Sequence, residues 1–309
     1  MKRILLILIS WLSAFHGELA DHLKKAEGKL PIHRMRNIDF IYMINLDERP
    51  EKFAFCKAEL GKYGIIPYRF SAVNGWTLPL EVINDVGLKY QPWMTEGQRG
   101  TCFLPELGRS PFYEIMSAVG RTYFCDQFFL GSIGVVMSHT SVLQDAADSD
   151  YDTVWIMEDD IEIIRDPNLL SDLIERLDAL VGENGWDILF TDRDTKDKKG
   201  NYVPCISYAK RPNFIPSHPE RFAVNQQIGL DFRKIGARYG AYSMIVRKSG
   251  VKKLLAFMKA HQVFLPYDMD MTLPNTIRLF TVLDDVVSTQ PRAPTDNGAP
   301  NYRWESNGS

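Results

Sequence analysis

Short apolar runs alternate with segments of helical periodicity along most of the chain. Residues 38–45 form an almost wholly apolar run, which is typical of a buried strand. Pro50 then opens a segment in which apolar side chains recur at helical spacing as far as Gly64. A second strand is predicted at 68–73, before an Asn-Gly turn. The pattern therefore predicts a β-α-β unit with two parallel strands.

The same alternation returns in the second half of the chain. The further predicted elements are helices at 133–147, 167–181 and 251–258, and strands at 153–157, 186–191, 202–208 and 240–246. Residues 85–130 are rich in Gly, Pro and aromatic residues, and we expect an irregular insertion there. This order of elements favours an α/β fold, a mostly parallel sheet with flanking helices in one main domain.

The two ends of the chain differ from this domain, which we place at 37–288. Lys2 and Arg3 precede an apolar run that continues to Phe15, so residues 1–20 are expected to be a signal peptide or an uncleaved anchor. Residues 21–36 are expected to be a connecting segment, and 289–309 a tail that wraps the surface. An exported or membrane-associated protein is expected, with the cytoplasmic face of a membrane as the alternative.

Composition narrows the class of protein. The chain has 309 residues, and its 36 basic and 39 acidic side chains give a formal net charge of -3. This balance argues against a nucleic-acid partner, because duplex binders carry a basic excess or stripe. The four cysteines lack zinc-site spacing. Their even number permits disulfides, for example between Cys102 and Cys125, while Cys56 is expected to be a buried free thiol.

An acidic triplet is the strongest chemical signal in the sequence. Glu158, Asp159 and Asp160 follow a predicted buried strand, so they should lie at the carboxyl edge of the sheet, where open α/β sheets bind ligands. Three adjacent carboxylates repel one another unless a cation or water satisfies them. Oxygen ligands of this kind suit Mg²⁺ or Mn²⁺. The alternative, an acidic helix terminus, is weakened because Asp166 and Pro167 already provide the cap of the next helix.

Five short motifs, in order, resemble those of glycosyltransferase family 25, the lipopolysaccharide-type and collagen-type sugar transferases. They occupy residues 41–52, 69–75, 131–139, 155–160 and 265–268, and together they cover most of the chain. The resemblance implies a GT-A type Rossmann-like fold, a UDP-sugar donor, a divalent cation and transfer with inversion. The expected reaction moves a hexose, galactose, to a hydroxyl of a glycan or lipooligosaccharide acceptor.

The resemblance also implies roles for particular residues. By position, Asn45, Asp47, Arg49 and Asp159 would lie near the nucleotide, Val73 and Asn74 at the edge of the donor pocket, and Glu158 and Asp160 around Mn²⁺ or Mg²⁺. Ser138 and His139 are expected at the donor site, although a lone His is as often a structural residue. Asp268 is the expected catalytic base, with Asp270 and Asp187 in reserve; its alternative role is a helix N-cap. Lys52 departs from the family, which commonly has Arg there.

Two other functions remain open from the sequence. A catalytically silent sugar-binding or adhesion module is favoured by the export-like N-terminus. A metal-dependent phosphohydrolase would use the same acidic residues, but it would need a nucleophile or a second metal cluster that the sequence does not offer.

Overall fold

The computed structural model describes residues 18–29, 35–290 and 293–301. The expected export signal therefore lies almost wholly outside the described residues. The helices are α1 (Pro50–Gly61), α2 (Leu80–Val86), α3 (Leu130–Asp148), α4 (Leu169–Val181), α5 (Lys248–His261) and α6 (Tyr267–Asp270). Across the described part of the chain, no helix is both long enough and apolar enough to cross a bilayer.

The strands form three sheets. They are β1 (Phe40–Asn45), β2 (Tyr68–Ser71), β3 (Leu88–Lys89), β4 (Arg99–Phe103), β5 (Pro111–Ile115), β6 (Thr122–Cys125), β7 (Thr153–Glu158), β8 (Ile161–Ile163), β9 (Ile188–Phe190), β10 (Asn225–Ile228), β11 (Phe232–Ile235), β12 (Ser243–Arg247), β13 (Leu279–Val282) and β14 (Val287–Thr289). The central sheet has the order β10-β11-β13-β9-β12-β7-β1-β2, a second sheet pairs β14 with β8, and the third has the order β3-β6-β4-β5.

The central sheet is mixed, with most of its strands in one direction. The predicted β-α-β unit is confirmed, since β1 pairs in parallel with β2 and also with β7. Strand β12 lies antiparallel between β7 and β9, and β11 is antiparallel to both of its neighbours. Six of the eight strands that the structure describes in this sheet therefore share one direction. An α/β domain with a large, mostly parallel sheet is confirmed in this sense.

Helices cover both faces of the central sheet. The two cores on these faces are reached by alternate side chains of β1, which point to opposite sides of the sheet. Phe40, Tyr42 and Ile44 belong to the core shared with α3 and α5, whereas Ile41 and Met43 belong to the core shared with α1 and α4. The continuous apolar run that predicted β1 is thus explained by burial on both sides. This three-layer arrangement leaves the strand ends available as a binding edge.

Two predicted elements and the disulfide possibility are corrected by the structure. Residues 85–130 are not irregular: they contain all four strands of the third sheet, which are antiparallel and follow α2. Residues 202–208 are not a strand, because Tyr202 makes only an isolated bridge with Lys196. Cys102 and Cys125 are free thiols, and Cys56 is free and buried, as expected.

Candidate functional site

A cleft of about 270 Å³ opens at the carboxyl ends of β1, β2 and β7. The predicted residues that line it are Asn45, Val73, Asn74, Ser138, His139, Glu158, Asp159, Asp160 and Asp268. Segments from four distant parts of the chain complete the walls, namely 131–139 of α3, 240–242, 266–268 and 294–297. The sheet edge that the acidic triplet indicated is therefore a concave surface, as ligand sites usually are.

Close backbone packing shapes one wall of the cleft. The Val73 N–H donates to Ser138 Oγ at 2.8 Å, which joins the end of β2 to α3. A Cβ atom on Gly75 would lie 1.8 Å from the Leu130 carbonyl oxygen, and one on Gly134 would lie 2.5 Å from the Val73 carbonyl oxygen. Only glycine allows these backbones to approach so closely. Ser138 thus has a structural contact at the place where the resemblance implied donor binding.

The acidic triplet lies at the floor of the cleft, and its three carboxylates have different partners. Asp159 accepts a hydrogen bond from Asn45 Nδ2 at 2.6 Å. Glu158 Oε1 lies 2.8 Å from His139 Nε2. Asp160 is half-buried, and its Oδ1 atom is buried without a hydrogen-bond partner among the described residues. Burial raises the pKa of Asp160 to about 7, and the charges of Glu158 and Asp159 act in the same direction.

His139 is held between the triplet and α6. Its ring is fully buried and stacks on that of Tyr267, with ring centroids 4.1 Å apart. The Nδ1 of His139 and the hydroxyl of Tyr267 are buried without hydrogen-bond partners. Because Nε2 meets the Glu158 carboxylate, the histidine fixes the position of that side chain in the cleft. The two roles predicted for His139, structural and at the site, are therefore compatible, because the side chain is packed in the core and also lines the cleft.

Asp268 lines the cleft from α6. Its Oδ2 accepts a hydrogen bond from the Gly240 N–H at 2.9 Å. Burial raises the pKa of Asp268, and the nearby Glu158 charge adds to this effect. Asp268 is not the N-cap of α6, because Pro266 occupies that position. A half-buried carboxylate with a raised pKa in a cleft is a candidate for proton transfer.

Residues 38–271 match the family model described as "Glycosyltransferase family 25 (LPS biosynthesis protein)". The chain belongs to glycosyltransferase family 25. It is also 25% identical, over 180 residues, to a "Glycosyltransferase 25 family member" of Aedes aegypti. That alignment covers 58% of this chain and 25% of the mosquito protein, so the chain spans about a quarter of the length of this relative.

Three of the residues expected at the family 25 site lie outside the cleft wall. Asp47 is exposed and accepts hydrogen bonds from Arg69 and Ser71. Asp270 is fully buried and accepts from Arg211 Nη1 through both carboxylate oxygens, at 2.5 and 2.6 Å. Arg49 lies beneath the cleft rather than in its lining.

The other carboxylate held in reserve as a base, Asp187, does not line the cleft either. It lies outside the lining and receives hydrogen bonds from Arg278, Lys253 and Ser249. These partners hold the pKa of Asp187 below its usual value even though burial opposes them. Among the expected bases, the structure therefore places Asp268, and not Asp270 or Asp187, in the cleft.

Residues 294–297 of the predicted C-terminal tail form part of the cleft. Asp296 receives both a bidentate ion pair from Arg49 Nη1, at 2.9 and 3.0 Å, and a contact from Lys52 Nζ at 3.3 Å. Its carbonyl oxygen accepts from Trp76 Nε1 at 2.8 Å. Asn297 accepts from Ser132 Oγ at 2.8 Å. Sequence reasoning missed these contacts, because no periodicity marks the segment.

The acidic end of the cleft fits a hard cation, although it does not form a complete protein cage. Within the described residues, no three His, Cys, Asp or Glu side chains converge to hold a metal ion. Glu158 and Asp160 nevertheless both present carboxylates to the cleft, and Asp160 Oδ1 lacks any partner. Two carboxylates suit Mg²⁺ or Mn²⁺, which commonly complete their coordination with water and substrate phosphate.

Proposed function

We propose that this family 25 member transfers a hexose, galactose, from a UDP-sugar to a hydroxyl group of a glycan or lipooligosaccharide, with inversion at the anomeric carbon. The observation that carries the proposal is the composition of the cleft. The cleft brings the carboxylates of Glu158–Asp160, which lie at the end of β7, together with the half-buried Asp268 carboxylate of α6. The first group can hold a cation at the leaving group, and the second can act as a base.

The diphosphate of the donor would lie at the acidic end of the cleft. Glu158 and Asp160 would hold Mn²⁺ or Mg²⁺, which when bound supplies positive charge to the departing diphosphate. His139 keeps Glu158 in place through the 2.8 Å contact with its carboxylate. Asn45 in turn orients Asp159 from the end of β1.

The reaction that we propose needs one base. The acceptor hydroxyl oxygen forms a bond to the anomeric carbon, and its proton passes to the Asp268 carboxylate. The bond between the anomeric carbon and the β-phosphate oxygen breaks, and its electron pair leaves with UDP. Attack from the face opposite to the leaving group inverts the anomeric configuration. The raised pKa of Asp268 suits a group that must take up a proton near neutral pH.

UDP release from a panel of UDP-hexoses tests this proposal. We expect release to require a divalent cation, to stop with EDTA, and to fall by roughly 10²- to 10⁴-fold in the Asp268→Asn variant. Asp160→Asn should abolish the response to Mn²⁺. Asp172→Asn, which changes an exposed carboxylate on α4, is the matched control and should act as the parent protein does.

Two results would overturn the proposal. One is the absence of UDP release from every donor at any Mn²⁺ concentration. The other is full activity of the Asp268→Asn variant. Glycan binding that ignores both UDP and EDTA would instead support the silent sugar-binding module.

A further inference from the structure

A second cavity, of about 150 Å³, adjoins the cleft and takes no part in the proposed donor site. It is lined by the loop that connects β9 to β10, at Cys205 and 207–209, together with 237–239, Met269 and Thr272. Its volume is well below the ~300–1,000 Å³ of pockets for drug-sized ligands. The cavity therefore suits one small ring and not an extended chain.

Two segments of the chain pass directly from one cavity to the other. Residues 237–239 line the second cavity and 240–242 line the cleft, while Asp268 lines the cleft and Met269 the second cavity. The hydrogen bond from the Gly240 N–H to Asp268 Oδ2 joins the two segments at this partition. Gly240 has a φ of +77°, in the left-handed region that favours glycine, which lets the chain turn there. The candidate base thus lies at the boundary between the two cavities.

The lining of the second cavity is neutral and partly aromatic. Arg238 is the one charged side chain among the described residues that line it, and this guanidinium is fully buried in an ion pair with Asp192. Tyr208 and Tyr239 provide aromatic surface, and Tyr208 is held by stacking on Phe222, with centroids 4.5 Å apart. Aromatic walls with a few hydroxyl groups are the surfaces that bind uncharged polar rings.

We infer that the second cavity binds the terminal sugar of the acceptor, and that this sugar is neutral. The inference rests on the proposed function, because it assumes that Asp268 takes a proton from an acceptor hydroxyl. A hexose in the second cavity would lie beside the segment that carries the base, because Met269 of the cavity lining follows Asp268 directly in the chain. The small sheet of residues 85–130 contributes no residue to the lining of either cavity.

The test measures binding of methyl hexosides by saturation-transfer NMR in the presence of UDP and Mn²⁺. The probes are methyl β-galactoside, methyl β-glucoside and the acidic methyl β-glucuronide. We expect a neutral hexoside to bind and the glucuronide to bind at least tenfold more weakly. Ala209→Trp, which fills the cavity, should weaken binding of the neutral hexoside by at least tenfold. Tyr208→Ala, which removes the aromatic wall, should weaken it in the same direction.

The matched control is Ile215→Trp, which adds the same ring at an exposed position of the same loop, outside the lining. It should bind the hexosides as the parent protein does. A rise in melting temperature with UDP reports that each variant is folded. The inference is wrong if Ala209→Trp and Tyr208→Ala both bind as the parent protein does, if no neutral hexoside binds, or if the glucuronide binds equally well. Failure of the proposed function is separate, because it would appear as a lack of UDP release from the unmodified protein.

Discussion

The contact between Arg49 and Asp296 should control whether the C-terminal segment stays closed over the cleft. The Arg49 side chain is 4% exposed and that of Asp296 7% exposed, and Lys52 approaches the same carboxylate. Asp296→Ala would leave these two cations without their shared buried partner. Removing one member of a buried ion pair costs about 3–5 kcal/mol.

The cost should appear as opening of the segment and not as unfolding of the domain. Residues 293–301 can lift away from the cleft, and water can then hydrate Arg49 and Lys52. Because this hydration reduces the cost of the unpaired charges, we use the lower end of the ~3–5 kcal/mol range, about 3 kcal/mol. Each 1.4 kcal/mol changes an equilibrium tenfold, and about 3 kcal/mol therefore makes opening ~10² times more frequent. Local opening of this kind leaves the stability of the core elements largely unchanged.

The indole N–H of Trp76 reports the opening directly. It donates to the Asp296 carbonyl oxygen at 2.8 Å, so its hydrogen exchange requires the segment to detach. NMR would follow this resonance, assigned by its loss in a Trp76→Phe variant. We expect Asp296→Ala to accelerate the hydrogen exchange of this N–H by ~10²-fold, because losing the buried ion pair favours opening by about 3 kcal/mol.

Glu51 provides the matched control, because it contacts the same guanidinium at 2.5 Å but is 56% exposed. Exposed ion pairs contribute about 0.2–1 kcal/mol, so Glu51→Ala should change the exchange rate at most about fivefold. Equal effects of the two alanine variants would refute the reasoning, since burial would then not determine the strength of the pair.

Three further predictions concern the stability of the folded domain. Gly75→Ala places a Cβ atom 1.8 Å from a backbone carbonyl, so it should lower the free energy of unfolding by about 2–3 kcal/mol in urea titrations. Gly61→Ala, with nothing within 4 Å, is its control; an equally large loss would contradict this account. Arg211→Met should cost about 3–5 kcal/mol by leaving Asp270 buried and unpaired, and adding Asp270→Asn should restore part of the loss. Burial and the charge of Arg211 lower the pKa of His261 to about 4, so the unfolded state binds more protons and stability should fall as the pH decreases from 6.5 to 4. His261→Phe should reduce this decrease by roughly 1–2 kcal/mol, allowing for partial exposure, and an unchanged pH profile would contradict it.

Local patterns predicted the elements that are buried along their whole length. Strands β1 and β7 are apolar almost throughout because both of their faces are covered, and α3 follows its predicted bounds within a few residues. The small sheet could not be predicted in this way. Strand β5, for example, has four exposed residues of five, so its pattern carries no alternation between a core face and a solvent face.

The residues of the candidate site also differ in how far the sequence could predict their positions. The acidic triplet could be placed from the sequence because its position depends only on the strand that it follows. The separation of Asp268 from Asp270 could not be inferred, since two carboxylates in one helical turn differ only in which tertiary partner each meets. Gly240 binds the first and Arg211 the second, and both partners lie 28 or more residues away in the chain.

The charges around the C-terminal segment give a physical reason to expect a cation in the cleft. The sequence resemblance placed Arg49 near the nucleotide, as if its charge were available to phosphate. In the structure, the charges of Arg49 and Lys52 are offset by those of Asp296 and Glu51. Glu158, Asp159 and Asp160 add three carboxylates at the floor. Lys52, whose Nζ lies 3.9 Å from Asp159, pairs with Asp296 as well and so offsets only part of this negative charge. A diphosphate entering this cleft would therefore meet net repulsion, and a divalent cation held by Glu158 and Asp160 would reverse the sign of that interaction.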